Sequence, residues 1–173
     1  MSDTPLHYRT ITELAAMMRA GEATPTSLTE YLLARVEKLN GPLTAFNLVT
    51  ADRAMAEAEA AEALLKSGHD LGPLHGIPYA VKDLYDIVGL PTTAGSRTVE
   101  MTPKTEESEV TKRLAAAGMI VLGKTITVEF AKGIVGINNI QGTPHNPWAE
   151  THHVPGGSSA GTAVAVASGM APM

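Results

Sequence analysis

Residues Ser108-Glu-Val-Thr-Lys-Arg-Leu-Ala-Ala-Ala-Gly118-Met-Ile-Val-Leu122 pass from a helix-forming run, through one glycine, into a block of large apolar residues. A helix is expected from Ser108 to Ala117, with Glu106, Glu107 and Glu109 favouring the positive end of its dipole. Gly118 is a natural stop. Met119–Leu122 is short, continuous and apolar, which reads as a strand covered on both faces. Helix, glycine, buried strand is the rhythm of an α/β sheet, so the chain is expected to be α/β.

Upstream, Gly72-Pro73, Gly76, Pro78, Gly89, Pro91 and Gly95 surround the apolar run Ile77–Val81, a second buried strand set among turn-rich loops. Further back the chain reads as helical. Thr10-Ile-Thr-Glu13 has the form of a capping box, with Leu14, Met17 and Met18 as the apolar stripe and Gly21 as the stop. Thr24-Pro25 opens a second helix carrying Leu28, Leu32, Leu33 and Val36 and ending at Asn40-Gly41-Pro42. A third covers Ala51–Lys66. Downstream, a long loop from Asn138 to Ser159 leads to a small-residue helix over Thr162–Gly169. Residues 1–70 are therefore expected as an N-terminal helical segment. Residues 71–173 are expected as the N-terminal part of one α/β core, holding part of a mixed, largely buried sheet flanked by helices. Few residues follow the apolar Ala163–Ala167 run, so the chain is expected to be the front part of something larger.

Composition narrows the function. The 173 residues contain no cysteine, which excludes disulfides, thiolate metal ligands and a cysteine nucleophile. A net charge of −5 offers no basic face for nucleic acid. No apolar run is long enough for a membrane span, and Met1–Pro5 lacks the pattern of a signal peptide, so a cytoplasmic protein is expected.

Two motif matches fit by letter but are opposed by the physics of their surroundings. Gly118–Thr125 satisfies the phosphate-loop pattern by letter, but Met, Ile, Val and Leu fill positions that must curl around phosphate. Gly157-Ser-Ser-Ala-Gly161 matches the nucleophile elbow with Ser159 at its centre, yet Val154-Pro155-Gly156 is a poor strand to feed it. The elbow remains the alternative reading. His145, His152 and His153 with Glu150 lie in a proline-broken loop without metal-ligand spacing, so no metal or cofactor is expected. Trp148 reads as a loop anchor.

Two segments carry chemistry. Lys82 ends the apolar strand Ile77–Val81. Ser158 and Ser159 stand in the glycine-dense turn Pro155–Gly161 at a helix start. A lysine drawn into an apolar site loses solvation and its amine becomes accessible as a base, able to replace the histidine of a serine triad. From the residues alone two alternatives stay open: Lys82 as an ion-paired surface lysine beside Asp83, and Ser158-Ser159 as a helix cap.

Together these segments resemble the amidase signature hydrolases, from the second helix to the end of the chain. The resemblance lies in Gly72-Pro-Leu-His-Gly-Ile-Pro-Tyr-Ala-Val-Lys-Asp83, Gly89–Ser96, Arg113–Gly118, Gly123-Lys-Thr125, Glu129-Phe-Ala131, Asn146-Pro-Trp148 and Pro155-Gly-Gly-Ser-Ser159. It implies a Ser–cis-Ser–Lys triad hydrolysing a small-molecule amide. Lys82 matches the catalytic lysine, Ser158 the bridging serine after a cis bond from Gly157, and Ser159 a supporting residue that helps hold Lys82. Ala131, Lys132 and Gly133 would line the substrate groove. The loop Gly89–Ser96 looks more like that of general amidases than that of the tRNA-dependent amidotransferases. One departure is Ala160-Gly161-Thr162, where the family has Gly-Gly-Ser. In the family the acylated serine and its oxyanion hole lie about two dozen residues past the bridging serine, beyond Met173. The chain is thus expected to be an incomplete and inactive portion. Its partners would be the rest of the enzyme or, as a non-catalytic half of a split enzyme, a second chain. A homodimer stays open.

Overall fold

A computed structural model describes residues 4–173. After a 3-10 turn at Leu6–Tyr8, the helices are α1 (Ile11–Arg19), α2 (Pro25–Leu43), α3 (Ala51–Lys66), α4 (Glu109–Ala116) and α5 (Ala160–Ala167). The strands are β1 (Phe46–Val49), β2 (Pro78–Lys82) and β3 (Ile120–Thr125). They form one mixed sheet in the order β1-β3-β2, with β2 parallel and β1 antiparallel to β3. The expected α/β architecture is thus present, with the strand after Gly118 at the centre of the sheet.

Local chemistry explains most boundaries. Thr10 accepts the Glu13 amide at 3.2 Å while Glu13 accepts the Thr10 amide at 2.8 Å, closing the capping box that starts α1. Thr24 and Ser27 do the same for α2, with Pro25 in its first turn. α2 runs on to Leu43, past the expected stop at Gly41-Pro42. Asn40 sets the exit instead: its side chain accepts the amides of Ala45 and Phe46 at 2.9 and 2.7 Å and donates to Phe46 O at 3.1 Å. These bonds end the helix and aim the chain into β1. The first 70 residues are therefore not wholly helical, because β1 pairs with the outer edge of β3.

β3 is buried at all six positions. α3 and α5 both pack on it, and α2 packs on α3 and the sheet. Gly123 stands mid-strand because a Cβ there would meet Leu48 O at 2.2 Å, so the glycine of the phosphate-loop pattern serves the close approach of β1. The apolar core gathers Leu14, Leu28 and Leu32 from the helices, Ile77, Ile120 and Leu122 from the sheet region, and Val164 from α5. α5 starts two residues before the expected Thr162. At Gly161 any side chain would strike Ala45 O (2.2 Å) and Ile126 N (2.5 Å), which seats the helix start against the end of the sheet.

Candidate active site

Lys82 is the last residue of β2 and Ser158 sits just before α5, 76 residues apart in sequence. The fold brings Lys82 Nζ to 2.6 Å from Ser158 Oγ. Partial burial holds the Lys82 ammonium below the usual lysine range. The Gly157–Ser158 peptide is cis. The Ser158 carbonyl accepts the Val128 amide at 3.0 Å, and the Thr127 hydroxyl lies 3.0 Å from it. Gly157 N donates to Ile134 O at 2.8 Å.

The ion-paired alternative for Lys82 is not what the structure holds. The carboxylate of the adjacent Asp83 is buried and turned to Lys124, whose Nζ lies 2.7 Å from it. Lys124 Nζ also donates to Pro91 O at 2.8 Å and Thr92 Oγ1 at 2.6 Å. Asp83 further accepts from Asn47 Nδ2 at 2.7 Å and from the Thr93 hydroxyl. Burial draws the Lys124 ammonium down and Asp83 opposes that shift. Lys82 itself makes no ion pair among the described residues, so its amine faces a hydroxyl rather than a carboxylate.

The other singled-out residues fall into two groups. Ser159 is exposed at the N-cap of α5, where its side chain makes no capping bond, and no hydrogen bond joins it to Lys82 among the described residues. Both line a cavity of about 300 Å³ with Tyr85, Val110 and Met173. Residues 152–158, which precede Ser159, form no strand, so the geometry of a nucleophile elbow is not built here. Ala131 closes a 3-10 turn at positive φ, with exposed Lys132 and Gly133 after it. This segment reaches the site through Val128, whose carbonyl accepts the Ala131 amide at 2.8 Å and whose amide holds Ser158. The His145 and His152 rings meet edge to face at 4.7 Å. Among the described residues no group of three or more His, Asp or Glu side chains is placed to hold a metal.

Sequence reasoning missed Asn47, Thr93, Lys124, Thr127 and Asn138, which surround the Lys82–Ser158 contact with buried hydrogen bonds. Thr93 and Lys124 lay within segments that carry the resemblance, and Lys124 also stood out as the charged residue in a run otherwise fit for a buried strand.

The fold that carries this lysine and this cis-linked serine is shared with amidases of known structure. Over 97% of its length the chain matches a peptide amidase solved with the competitive inhibitor chymostatin, at TM-score 0.89 and 35% identity, covering 36% of that chain. A protein from a vestigial complex linked to the origins of an s-triazine catabolic enzyme matches 94% of it at TM-score 0.90 and 35% identity, with 36% of that chain covered. A glutamyl-tRNA(Gln) amidotransferase subunit from Chloroflexus aurantiacus is 43% identical over 98% of this chain and 34% of its own length. The corresponding protein of Halorhodospira halophila is 41% identical over 96% of this chain and 34% of its own. The Amidase family profile matches residues 27–173, and the chain belongs to that family. It spans about a third of the length of these relatives.

Proposed function

We propose that Lys82 and Ser158 form the proton-transfer half of a Ser–cis-Ser–Lys amide-hydrolase site acting on a small-molecule amide. The observation that carries it is the 2.6 Å contact between Nζ and Oγ, made by a lysine with a lowered ammonium pKa and no carboxylate partner among the described residues. Neutral Lys82 takes the proton of Ser158 Oγ, which takes the proton of the nucleophilic hydroxyl as that oxygen bonds to the amide carbonyl carbon. Return of the proton to the amide nitrogen accompanies cleavage of the C–N bond, leaving an acyl-enzyme that water then hydrolyses. Gly157 shapes the turn that presents Ser158, and Ala131, Lys132 and Gly133 border the groove through Val128.

The acylated serine and the oxyanion donors lie outside residues 1–173 in this proposal. Residues 71–173 are the first part of one α/β core, completed by more of the same polypeptide or by a second chain. The chain alone is inactive. No described helix is long and apolar enough to cross a membrane, and we place the protein in the cytoplasm. A native mass measurement on the natural protein separates one long polypeptide from a two-chain assembly or a homodimer.

The test is ammonia release by the full-length protein from a panel of primary amides, an amino-acid amide and glutamine, with and without Ser158→Ala. Turnover that depends on Ser158 supports the proposal, and an undiminished rate in Ser158→Ala contradicts it. The 41–43% identity to amidotransferase subunits favours a second reading, in which the released amide nitrogen passes to an acceptor. Glutamine cleavage stimulated by glutamyl-tRNA(Gln) and partner subunits would select it.

A further inference from the structure

Lys82 and Ser158 are tied together a second time, by a path that never touches their reacting atoms. It leaves Lys82 through the next residue, Asp83, whose carboxylate accepts from the Thr93 hydroxyl and, at 3.3 Å, from the Thr93 amide. The Thr93 oxygen in turn accepts the Gly95 amide at 3.1 Å. Asn138 Nδ2 then donates to Gly95 O at 2.9 Å and to Thr127 O at 2.8 Å. From Thr127 the path reaches the Ser158 carbonyl through the Thr127 hydroxyl and the Val128 amide, each at 3.0 Å. The Nζ–Oγ contact closes the ring.

Asn138 is the keystone. It is 2% exposed, and both protons of its amide are spent on the two carbonyls. Its oxygen is fixed by the amides of Ile140 and Gln141 at 2.8 and 2.9 Å, so the side chain has one orientation available. It joins three loops, residues 93–96, 127–131 and 138–141, that share no strand.

We infer that Asn138, acting through Thr127, is a positioning residue that sets the distance between the Lys82 amine and the Ser158 hydroxyl. The inference rests on the proposed Lys82–Ser158 chemistry. Proton transfer across a hydrogen bond is steep in distance, and a misplacement of about 1 Å can cost about a hundredfold in rate. Binding of the amide elsewhere in the groove does not depend on this distance, so the loss falls on kcat.

The experiment measures kcat and KM for amide hydrolysis by the full-length protein, with circular dichroism to verify folding. Asn138→Asp keeps the shape but turns a two-proton donor into an acceptor facing two carbonyls. It is expected to lower kcat about a hundredfold while KM stays within about twofold. Thr127→Val removes only the hydroxyl and is expected to lower kcat about tenfold, with Thr127→Ser restoring it. These two decide the matter should Asn138→Asp fail to fold. Folded variants with unchanged kcat, or a Thr127→Ser no better than Thr127→Val, overturn the inference. Lys82→Ala separates this from failure of the underlying proposal. Full activity in Lys82→Ala overturns both, whereas its loss beside unchanged Asn138 and Thr127 variants overturns the positioning role alone.

Discussion

The helices α1 to α3 and the loop-rich stretch from Asp83 to Ser159 each bury one face, yet the two faces are held by different chemistry. In the helical layer the inward groups are Leu14, Met18, Leu28, Leu32, Val36, Ala54, Ala58 and Ala61, and the charges sit outside in pairs such as Arg53–Glu57 and Lys66–Glu62. Around the Lys82–Ser158 contact, beside apolar Ile126 and Val128, the inward groups are Asp83, Thr92, Thr93, Ser96, Thr127 and Asn138 from the loops and Lys124 from β3. Apolar contact is non-directional and tolerates small shifts. Hydrogen bonds weaken steeply when distance or angle is wrong. The part of the molecule that sets the Lys82–Ser158 distance is thus built from the directional interaction, and the scaffold from the forgiving one.

Substitutions can break or sharpen this contrast. The largest effect on stability is expected from Lys124→Met, which leaves the Asp83 carboxylate buried without its cation. Removing one partner of such a pair costs about 3–5 kcal/mol, and denaturant unfolding of the full-length protein measures it. Because Asp83 follows Lys82, amide turnover should fall as well. Leu32→Ala in the helical layer is expected to cost about 3 kcal/mol by the same assay while leaving kcat within about twofold. A large kcat loss there would erase the distinction between the regions. Thr10→Ala, which opens the α1 capping box, should cost about 1 kcal/mol. Arg113→Ala breaks an exposed pair with Glu109 and should shift stability by no more than about 0.5 kcal/mol.

The same contrast has a pH signature. Burial disfavours the Lys82 ammonium, so the neutral base is populated at a lower pH than for a free lysine near about 10.4. Turnover should rise with pH through that lowered pKa and fall away on the acid side as the amine is protonated. Asp83, the adjacent charge, is committed to Lys124. The pH profile of kcat/KM should therefore show an acid limb with its midpoint below about 10.4, and that limb should vanish in Lys82→Ala.

The helical layer and the two parallel strands were legible because their signals are local. A capping box, a proline at a first turn, a stripe at helical spacing and an apolar run after Gly118 each act over a few residues. β1 was not legible, since Phe46–Val49 is four residues long and exists as a strand through pairing with β3. At the site, Lys82 and Ser158 stood out by their surroundings in sequence, but their approach across 76 residues is a product of tertiary packing. The Lys82–Asp83 pairing that adjacency suggests does not form, because successive side chains at a strand end point apart, which sends Asp83 to Lys124. Asn138 carried no signal at all, being one of two adjacent asparagines in a loop and having a role that depends on where three loops meet.

The most direct measurement is kcat/KM of Lys82→Ala against the unaltered full-length protein on its best amide substrate. If the amine at position 82 is the base that draws the proton from Ser158, the value falls by about 10²–10⁴-fold. A folded Lys82→Ala protein that hydrolyses the amide at the unaltered rate would contradict the account.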